Sequence, residues 1–320
     1  MTLLVRKQLA AILAASVLLF SFSGCQSKRS PTISDSLTVL TIGTADSGGT
    51  MYPVGAAIAN VLSDDSLKVN VGASTGSAMN IQNLADGVVD LALVSGDAAY
   101  EAYHSSESES GLRAVAAVYT SVSNWLVPKS ENAYYVHDLK GLRIGVGPEN
   151  STTELAARVV IETIGLDQSD TIQVNCGLGA GTEMVLNGEL DAIHGFSGIP
   201  IGGLATLAEK VPCRVLRYTS EELDAILASN AIYSSGTIPA HTYKEQSQDI
   251  ETFGVKCLLC VDASMDEELV YAITKMLWDN RESLSQAHPS MSVMEEDAYL
   301  FDNLPIPLHT GAERFYTEVG

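Results

Sequence analysis

The hydrophobic and polar positions of this chain follow a repeated pattern of strand, loop and helix. A short apolar run, Thr38–Ile42, predicts a strand, and a glycine-rich loop follows over residues 43–49. Apolar residues then recur on one helical face, at Met51, Val54, Ile58, Val61 and Leu62. Strands that alternate with helices in this way are typical of a mainly parallel α/β architecture.

A second unit of the same kind begins about a hundred residues later. Leu142–Val146 predicts a strand, residues 147–150 predict a turn, and a helix follows with apolar residues at Leu155, Val159 and Val160. Ser151 followed by Glu154 forms a capping box, which indicates that this helix begins there.

The two units also resemble each other further along the chain. In each, a helix ends at a glycine and an aspartate opens an apolar strand: Gly87, Asp90 and Leu91–Val94, then Gly188, Asp191 and Ala192–Phe196. This repetition predicts two similar α/β lobes. Loops beyond the carboxyl ends of their strands would face one hinged cleft, which is the geometry of a binding protein that closes around its ligand.

The amino-terminal residues 1–24 are interpreted as a secretory signal peptide. Arg6 and Lys7 precede an uncharged apolar run, Leu9–Phe22, which is shorter than the roughly 20 residues that span a bilayer. Ser23-Gly24-Cys25 then resembles the lipobox of bacterial lipoproteins, although Phe22 stands where leucine is commoner. The alternative is ordinary cleavage beside an unimportant cysteine.

A lipobox implies acylation of Cys25, with palmitate among its chains, and a protein held at the outer face of the cell membrane. Residues 25–36 are polar and serine-rich and predict a flexible tether. An anchored chain diffuses close to membrane partners, so the anchor favours a membrane-associated task.

The chain is strongly acidic, with 39 Asp and Glu against 18 Lys and Arg and a net charge of −21. Such a surface repels nucleic acid, so we expect no nucleic-acid partner. An anionic ligand remains compatible, because local dipoles inside a cleft can outweigh a screened surface field. Solubility alone would also account for the acidity.

The sequence indicates neither an enzyme nor a metal or cofactor site. The six histidines show no metal-ligand spacing, and Gly195–Ile199 lacks the final glycine of a nucleophile elbow around Ser197. The sequence around Ser197 therefore does not support a hydrolase. Cys257 and Cys260 fall on opposite faces of a predicted buried strand; whether they or Cys176 and Cys213 pair stays open.

Two loops are candidates for ligand binding. Residues 44–50 lead into a helix, so their backbone N–H groups and the helix dipole suit an anion, with Ser47, Thr50 and Tyr52 adding hydroxyls. Residues 72–80 lead into another helix, where Thr75 or Ser77 is either a ligand contact or simply the helix cap.

Several stretches together resemble a known family, the solute receptors of tripartite ATP-independent periplasmic (TRAP) transporters of the TAXI subgroup. The resemblance spans Leu37 to Gly320, which is essentially the mature chain. The matching stretches are residues 41–53, 75–80, 87–94, 138–147, 238–243, 266–278, 287–289 and 305–316.

This resemblance implies a type II periplasmic-binding-protein fold that works with a sodium-coupled permease. Lobe I would comprise residues 37–122 and 255–320, and lobe II residues 123–254. The implied ligands are small carboxylates such as glutamate, glutamine and 2-oxoglutarate. The implied ligand-binding residues are Ser47, Gly48, Gly49, Thr50, Tyr52, Gly76, Ser77, Asn80, Ser95, Asp97, Asn150, Ser151, Thr152, Thr153, Phe196 and Pro200.

Two departures from the family pattern affect the expected ligand. Ser95 stands where glutamine is common, and Pro148-Glu149-Asn150 stands where small residues are common. If Glu149 faced the cleft, it would repel a second carboxylate or bind an amino group. A sensory subunit that binds the same ligand and reports to a membrane kinase remains an alternative.

Overall fold

The computed structural model describes residues 37–105, 111–166 and 168–320; the predicted signal segment, Cys25 and the tether lie outside these ranges. The strands in chain order are β1 Thr38–Gly43, β2 Leu67–Gly72, β3 Leu91–Ser95, β4 Leu112–Pro128, β5 Arg143–Gly145, β6 Ile172–Val174, β7 Ala192–Ser197, β8 Cys213–Val215, β9 Ser234–Ile238 and β10 Ile250–Asp262. The α-helices are α1 Met51–Leu62, α2 Ser77–Ala85, α3 Gly96–His104, α4 Thr152–Thr163, α5 Leu178–Leu186, α6 Gly202–Lys210, α7 Ser220–Ser229, α8 Glu267–Asp279, α9 Arg281–Ala287, α10 Asp297–Phe301 and α11 Thr310–Val319.

These strands form one sheet in the order β2-β1-β3-β10-β4-β7-β5-β6, with β8 beside β4 and β9 beside β10. β1 lies parallel to β2 and β3, and β5 lies parallel to β6 and β7 in the same arrangement. The two halves of the sheet are therefore repeats of one unit. This confirms the two-lobed α/β fold that the sequence predicts.

The repeated aspartates have the same structural role in both halves. Asp90 Oδ2 accepts a hydrogen bond from the Thr41 amide at 2.8 Å, and Asp191 Oδ2 accepts one from the Arg143 amide at 2.8 Å. Each carboxylate thus ties the start of β3 or β7 to the neighbouring parallel strand. Because the bonds reach main-chain amides, they do not depend on which side chain the partner residue carries.

The helix boundaries follow local chemistry that is visible in the sequence. Ser151 caps α4 by accepting a hydrogen bond from the Glu154 amide at 3.2 Å. After α2 and α5 the chain turns through Gly87 and Gly188, whose φ angles of 66° and 73° lie in the left-handed region that favours glycine. Each turn directs the chain into the next parallel strand.

Two long strands run through both halves. β4 pairs with β10 from Leu112 to Val122 and with β7 from Val122 onward. β10 pairs with β9 up to Gly254 and with β3 from Cys257. Since β4 changes partner at Val122 and β10 leaves β9 after Gly254, we propose lobe boundaries at 122/123 and 254/255.

Each half has apolar clusters on both faces of the sheet. In the first half, α1 shares one cluster with the carboxyl-terminal helices, whose buried residues include Val270, Ile273, Leu277, Leu284, Leu300 and Phe315. In the second half, one cluster contains residues of α4 and α7 and another contains residues of α5 and α6. Each half therefore has a hydrophobic core of its own. Burial of each such side chain stabilises the fold by about 1.5–3 kcal/mol.

The described residues hold neither a membrane span nor a metal cluster. No helix within them has the length and apolar character needed to cross a bilayer. Within the same ranges, no three His, Cys, Asp or Glu side chains are grouped so that they could hold a metal ion. Cys176, Cys213, Cys257 and Cys260 are free thiols, and burial raises the pKa of Cys257 to about 12, so its reactive thiolate is disfavoured.

Candidate ligand-binding site

A cavity lies between the two halves of the sheet, beyond the carboxyl ends of β1, β2, β5, β6 and β7. This is where ligands bind in open α/β sheets. Its volume is about 40 Å³. A cavity of about 150 Å³ accommodates benzene, so the cavity as it stands has room for about two or three waters.

Four helices begin at this cavity, two from each half of the sheet. They are α1, α2, α4 and α5, and residues at the start of each one line the cavity. Of these four helices, only α4 has an N-cap side chain that accepts from its first turn among the described residues, and the Gly179 amide at the start of α5 donates a long hydrogen bond to Asp46 Oδ1 at 3.5 Å. Helix amino termini carry partial positive charge and outward N–H groups, which suit an anion.

The two halves meet directly beside the cavity. The Thr50 amide donates a hydrogen bond to Ser197 Oγ at 3.3 Å, and the Thr50 hydroxyl donates a short one to the carbonyl oxygen of Gly198. The Gly203 amide donates to the carbonyl oxygen of Gly48 at 2.9 Å. The α1 loop is therefore closed against the loop that follows β7.

The structure brings seven of the sequence-predicted residues together around the cavity. They are Gly49, Thr50, Gly76, Ser151, Thr152, Thr153 and Phe196. The other predicted residues of the described chain do not line it: Ser47, Gly48, Tyr52, Ser77, Asn80, Ser95, Asp97, Asn150 and Pro200. Four of them are buried behind the cavity in two separate hydrogen-bonded groups, and most of the others lie at its edge or on the surface.

Asn80 belongs to the first buried group, and its side chain is fully bonded to the protein. Its Nδ2 donates to the carbonyl oxygens of Thr44 and Leu93, each at 2.8 Å, and its Oδ1 accepts from the Ser74 hydroxyl at 2.7 Å. Both donor hydrogens are used in this way. Asn80 therefore holds the loop after β1 in place, and that loop carries Thr50.

Ser77, Ser95 and Asp97 form a second buried group. The Ser95 amide donates to Ser77 Oγ at 3.0 Å, and Ser95 Oγ donates to Asp97 Oδ1 at 2.6 Å. Asp97 Oδ1 also accepts from the Ala98 amide at 2.9 Å. Burial raises the pKa of Asp97, while these hydrogen bonds act in the opposite direction. The group joins the start of α3 to the start of α2.

The remaining predicted residues lie at the edge of the cleft or on the surface. Ser47 and Asn150 are exposed, and Tyr52 is 37% exposed. Pro200 follows a cis peptide bond and is half-buried. Glu149 is exposed and does not line the cavity, so it is not placed to repel a second carboxylate of the ligand or to bind its amino group.

A buried histidine, His194, lies behind the first turn of α4. His194 Nδ1 is 3.1 Å from the carbonyl oxygen of Thr153, and its Nε2 is 3.0 Å from Ser123 Oγ. Its ring stacks on that of Trp125, with centroids 4.1 Å apart. Burial lowers the pKa of His194 to about 3, so the ring is neutral at physiological pH.

Seven further residues line the cavity that the resemblance did not assign. They are Ala45, Asp46, Met51, Thr75, Pro148, Leu178 and Ser197. The internal repeat could have predicted that the start of α5 lines the cavity. Asp90 and Asp191 are equivalent positions of the repeat, and the same spacing relates Gly76 to Gly177. These two glycines are the N-cap residues of α2 and α5. Asp46 had no comparable signal, because its role depends on contacts with the other half.

The fold is the two-lobed α/β arrangement of periplasmic binding proteins. The chain belongs to the NMT1-like family, whose family model matches residues 42–320. The narrower resemblance to the TAXI subgroup stays a prediction.

Several solved structures are similar to this chain at low sequence identity. A protein from Bordetella bronchiseptica RB50 has a TM-score of 0.50 at 17% identity, covering 88% of this chain and 82% of that chain. The ligand-binding component of an ABC-type import system from Staphylococcus aureus, with zinc bound, has a TM-score of 0.50 at 12% identity, covering 82% and 84%. The periplasmic aliphatic sulphonate binding protein SsuA from Escherichia coli has a TM-score of 0.49 at 14% identity, covering 88% and 84%.

Proposed function

We propose that this chain is an extracytoplasmic receptor that captures a small carboxylate and delivers it to a membrane transporter. The observation that carries the proposal is the convergence of four helix amino termini, from both halves, on one cavity. Within the described ranges, the residues that line the cavity include no lysine, arginine or histidine. The anion would therefore be held by backbone N–H groups and helix dipoles, with hydroxyls such as those of Thr50 and Thr152 fixing its orientation.

The small volume of the cavity implies that the lobes separate to admit a ligand. A glutamate-like molecule is larger than benzene, and a cavity of about 40 Å³ does not hold it. The hydrogen bonds of Thr50 to Ser197 and Gly198 would have to break or lengthen during this opening. Rotation about β4 and β10, the two strands shared by both halves, is the simplest movement that does so.

The surroundings of Ser197 favour binding over hydrolysis. Ser197 Oγ accepts a hydrogen bond from the Thr50 amide. Within the described residues, no histidine side chain forms a hydrogen bond to Ser197 that could activate it as a nucleophile. We therefore assign Ser197 to the contact between the lobes.

The proposed transport partner is a sodium-coupled TRAP permease, which the TAXI resemblance implies. The Staphylococcus aureus protein of the same fold belongs to an ABC-type import system, so an ATP-driven importer is the competing partner. A sensory subunit is a third candidate. Uptake by membrane vesicles that carry the receptor and a candidate permease separates the two transporter types: dependence on a sodium gradient supports the TRAP assignment, and dependence on ATP contradicts it.

The proposed location is the outer face of the cell membrane, through a lipid on Cys25. Mass spectrometry of the protein purified from membranes tests this directly. We expect an acylated Cys25 at the amino terminus. An unmodified, freely secreted chain would contradict the anchor without affecting the proposed ligand.

Calorimetry on the purified protein tests the ligand class. The panel should contain amino acids, mono- and dicarboxylates, sugars and phosphonates. We expect heat of binding with at least one small carboxylate. Binding restricted to sugars or phosphonates would overturn the proposal.

A further inference from the structure

A single ionisable side chain lines the cavity within the described part of the chain, and it is acidic. This side chain is that of Asp46, in the loop between β1 and α1. Among the described residues, no lysine, arginine or histidine forms an ion pair with it. A carboxylate in a closing cleft without a cationic partner is costly, since closure removes its water.

The two carboxylate oxygens of Asp46 differ in their surroundings. Oδ1 accepts a hydrogen bond from the Gly48 amide at 2.8 Å and a long one from the Gly179 amide at 3.5 Å. Oδ2 has no hydrogen-bond donor among the described residues and lies beside Gly177, where a Cβ would be only 2.9 Å away. One carboxylate oxygen is thus bonded to backbone amides, and the other keeps its capacity to accept a hydrogen bond.

The cavity is therefore lined by partial positive charges at the helix amino termini and by one negative charge at Asp46. The amino termini of α1, α2 and α4 favour carboxylates, whereas Asp46 beside the amino terminus of α5 disfavours a carboxylate next to itself. A ligand whose ammonium group lies next to Asp46 and whose carboxylate lies at the other helix starts satisfies both. An ammonium group can donate to Asp46 Oδ2 in a charge-assisted hydrogen bond.

We propose that Asp46 is a specificity-determining residue that binds the ammonium group of the ligand, so that the receptor selects amino acids over their deaminated analogues. This inference rests on the proposed carboxylate-receptor function. It narrows the ligand class from small carboxylates in general to α-amino acids, and it disfavours 2-oxoglutarate.

The test compares L-glutamate with 2-oxoglutarate, which carries a keto group in place of the ammonium. Calorimetry should be run on the wild type, on Asp46→Asn and on Glu149→Gln. Asparagine keeps the oxygen that accepts from the Gly48 amide, while its NH2 group replaces Oδ2, so the charge and the acceptor for the ammonium group are both lost. Glu149→Gln removes an equal charge from an exposed residue two positions before the Ser151 cap, outside the cavity lining.

We expect the wild type to bind L-glutamate at least about tenfold more tightly than 2-oxoglutarate, as a charge-assisted hydrogen bond would give. Asp46→Asn should lose most of that ratio, and Glu149→Gln should keep it. A wild type that binds 2-oxoglutarate equally well, or an unchanged ratio in Asp46→Asn, would overturn the role of Asp46 and leave the carboxylate receptor standing. Failure of every carboxylate in the panel to bind would instead overturn the proposed function, and this inference with it.

Discussion

His194 Nδ1 lies 3.1 Å from the carbonyl oxygen of Thr153, which fixes the position of its proton. A carbonyl oxygen only accepts, so Nδ1 must carry the hydrogen and Nε2 must accept from Ser123 Oγ. Ser123 in turn bonds Tyr218, whose hydroxyl accepts from Trp125 Nε1. A directed chain of hydrogen bonds thus joins β4, a strand shared by both lobes, to the first turn of α4.

The first prediction concerns the tautomer of His194. We expect a neutral ring protonated at Nδ1 at neutral pH, because Thr153 offers only an acceptor. Long-range proton–nitrogen NMR correlation on labelled protein distinguishes the two tautomers. A ring protonated at Nε2 would show that this chain of hydrogen bonds is not formed.

The second prediction is a dependence of stability on pH. The pKa of His194 is lowered from 6.5 to about 3 in the folded protein, so the unfolded chain binds a proton that the folded chain refuses. The free energy of unfolding therefore keeps its full His194 contribution above pH 6.5. As the pH falls from 6.5 towards 3, the free energy of unfolding decreases by about 1.4 kcal/mol per pH unit.

Urea unfolding between pH 7 and pH 5 measures this dependence. The matched variant is His194→Asn, whose side-chain amide can still donate to the Thr153 carbonyl but does not titrate. We expect a smaller loss of stability per pH unit in the variant than in the wild type. Identical pH dependence in the two proteins would rule out His194 as its source.

The third prediction concerns closure of the cleft. A Cβ at Gly48 would lie 2.5 Å from the amide nitrogen of Gly179, across the cleft. Gly48→Ala should hold the lobes apart and weaken binding of L-glutamate by about tenfold or more, because overpacking of this kind costs about 1–3 kcal/mol. Small-angle X-ray scattering with ligand present should show a larger radius of gyration than for the wild type.

Gly179→Ala is the matched control for Gly48→Ala. A Cβ at Gly179 meets no atom of the described residues within 4 Å, and alanine suits its position inside α5. We expect wild-type affinity and wild-type scattering from this variant. Equal affinities for all three proteins would contradict closure through this contact.

The fourth prediction concerns Asn80. Asn80→Ala removes the Nδ2 donor from the carbonyl oxygens of Thr44 and Leu93 in a buried setting. We expect the free energy of unfolding to fall by about 2–4 kcal/mol, since each lost buried hydrogen bond costs about 1–3 kcal/mol. Denaturant titration measures this. Asn187→Ala, at an exposed residue, should change stability by less than about 0.5 kcal/mol.

The elements of the fold could be predicted from the sequence because their signals are local. The Ser151 cap, the left-handed turns at Gly87 and Gly188, and the apolar face of α1 depend on residues within a few positions of one another. The two-lobed arrangement could also be predicted, because Asp90 and Asp191 recur at equivalent positions and each one begins a strand in the same way.

Which residues form the site could not be predicted from the sequence, because residues adjacent in the chain make different tertiary contacts there. In the loop that the sequence singled out, Ser47 points to solvent while the adjacent Asp46 reaches Gly179, far along the chain. Asn80 has the chemistry of a ligand contact, yet packing has used both of its donors. The sequence by itself therefore determined that helix amino termini lead into a cleft, whereas the approach of the two lobes decided that Asp46 is the charge inside it.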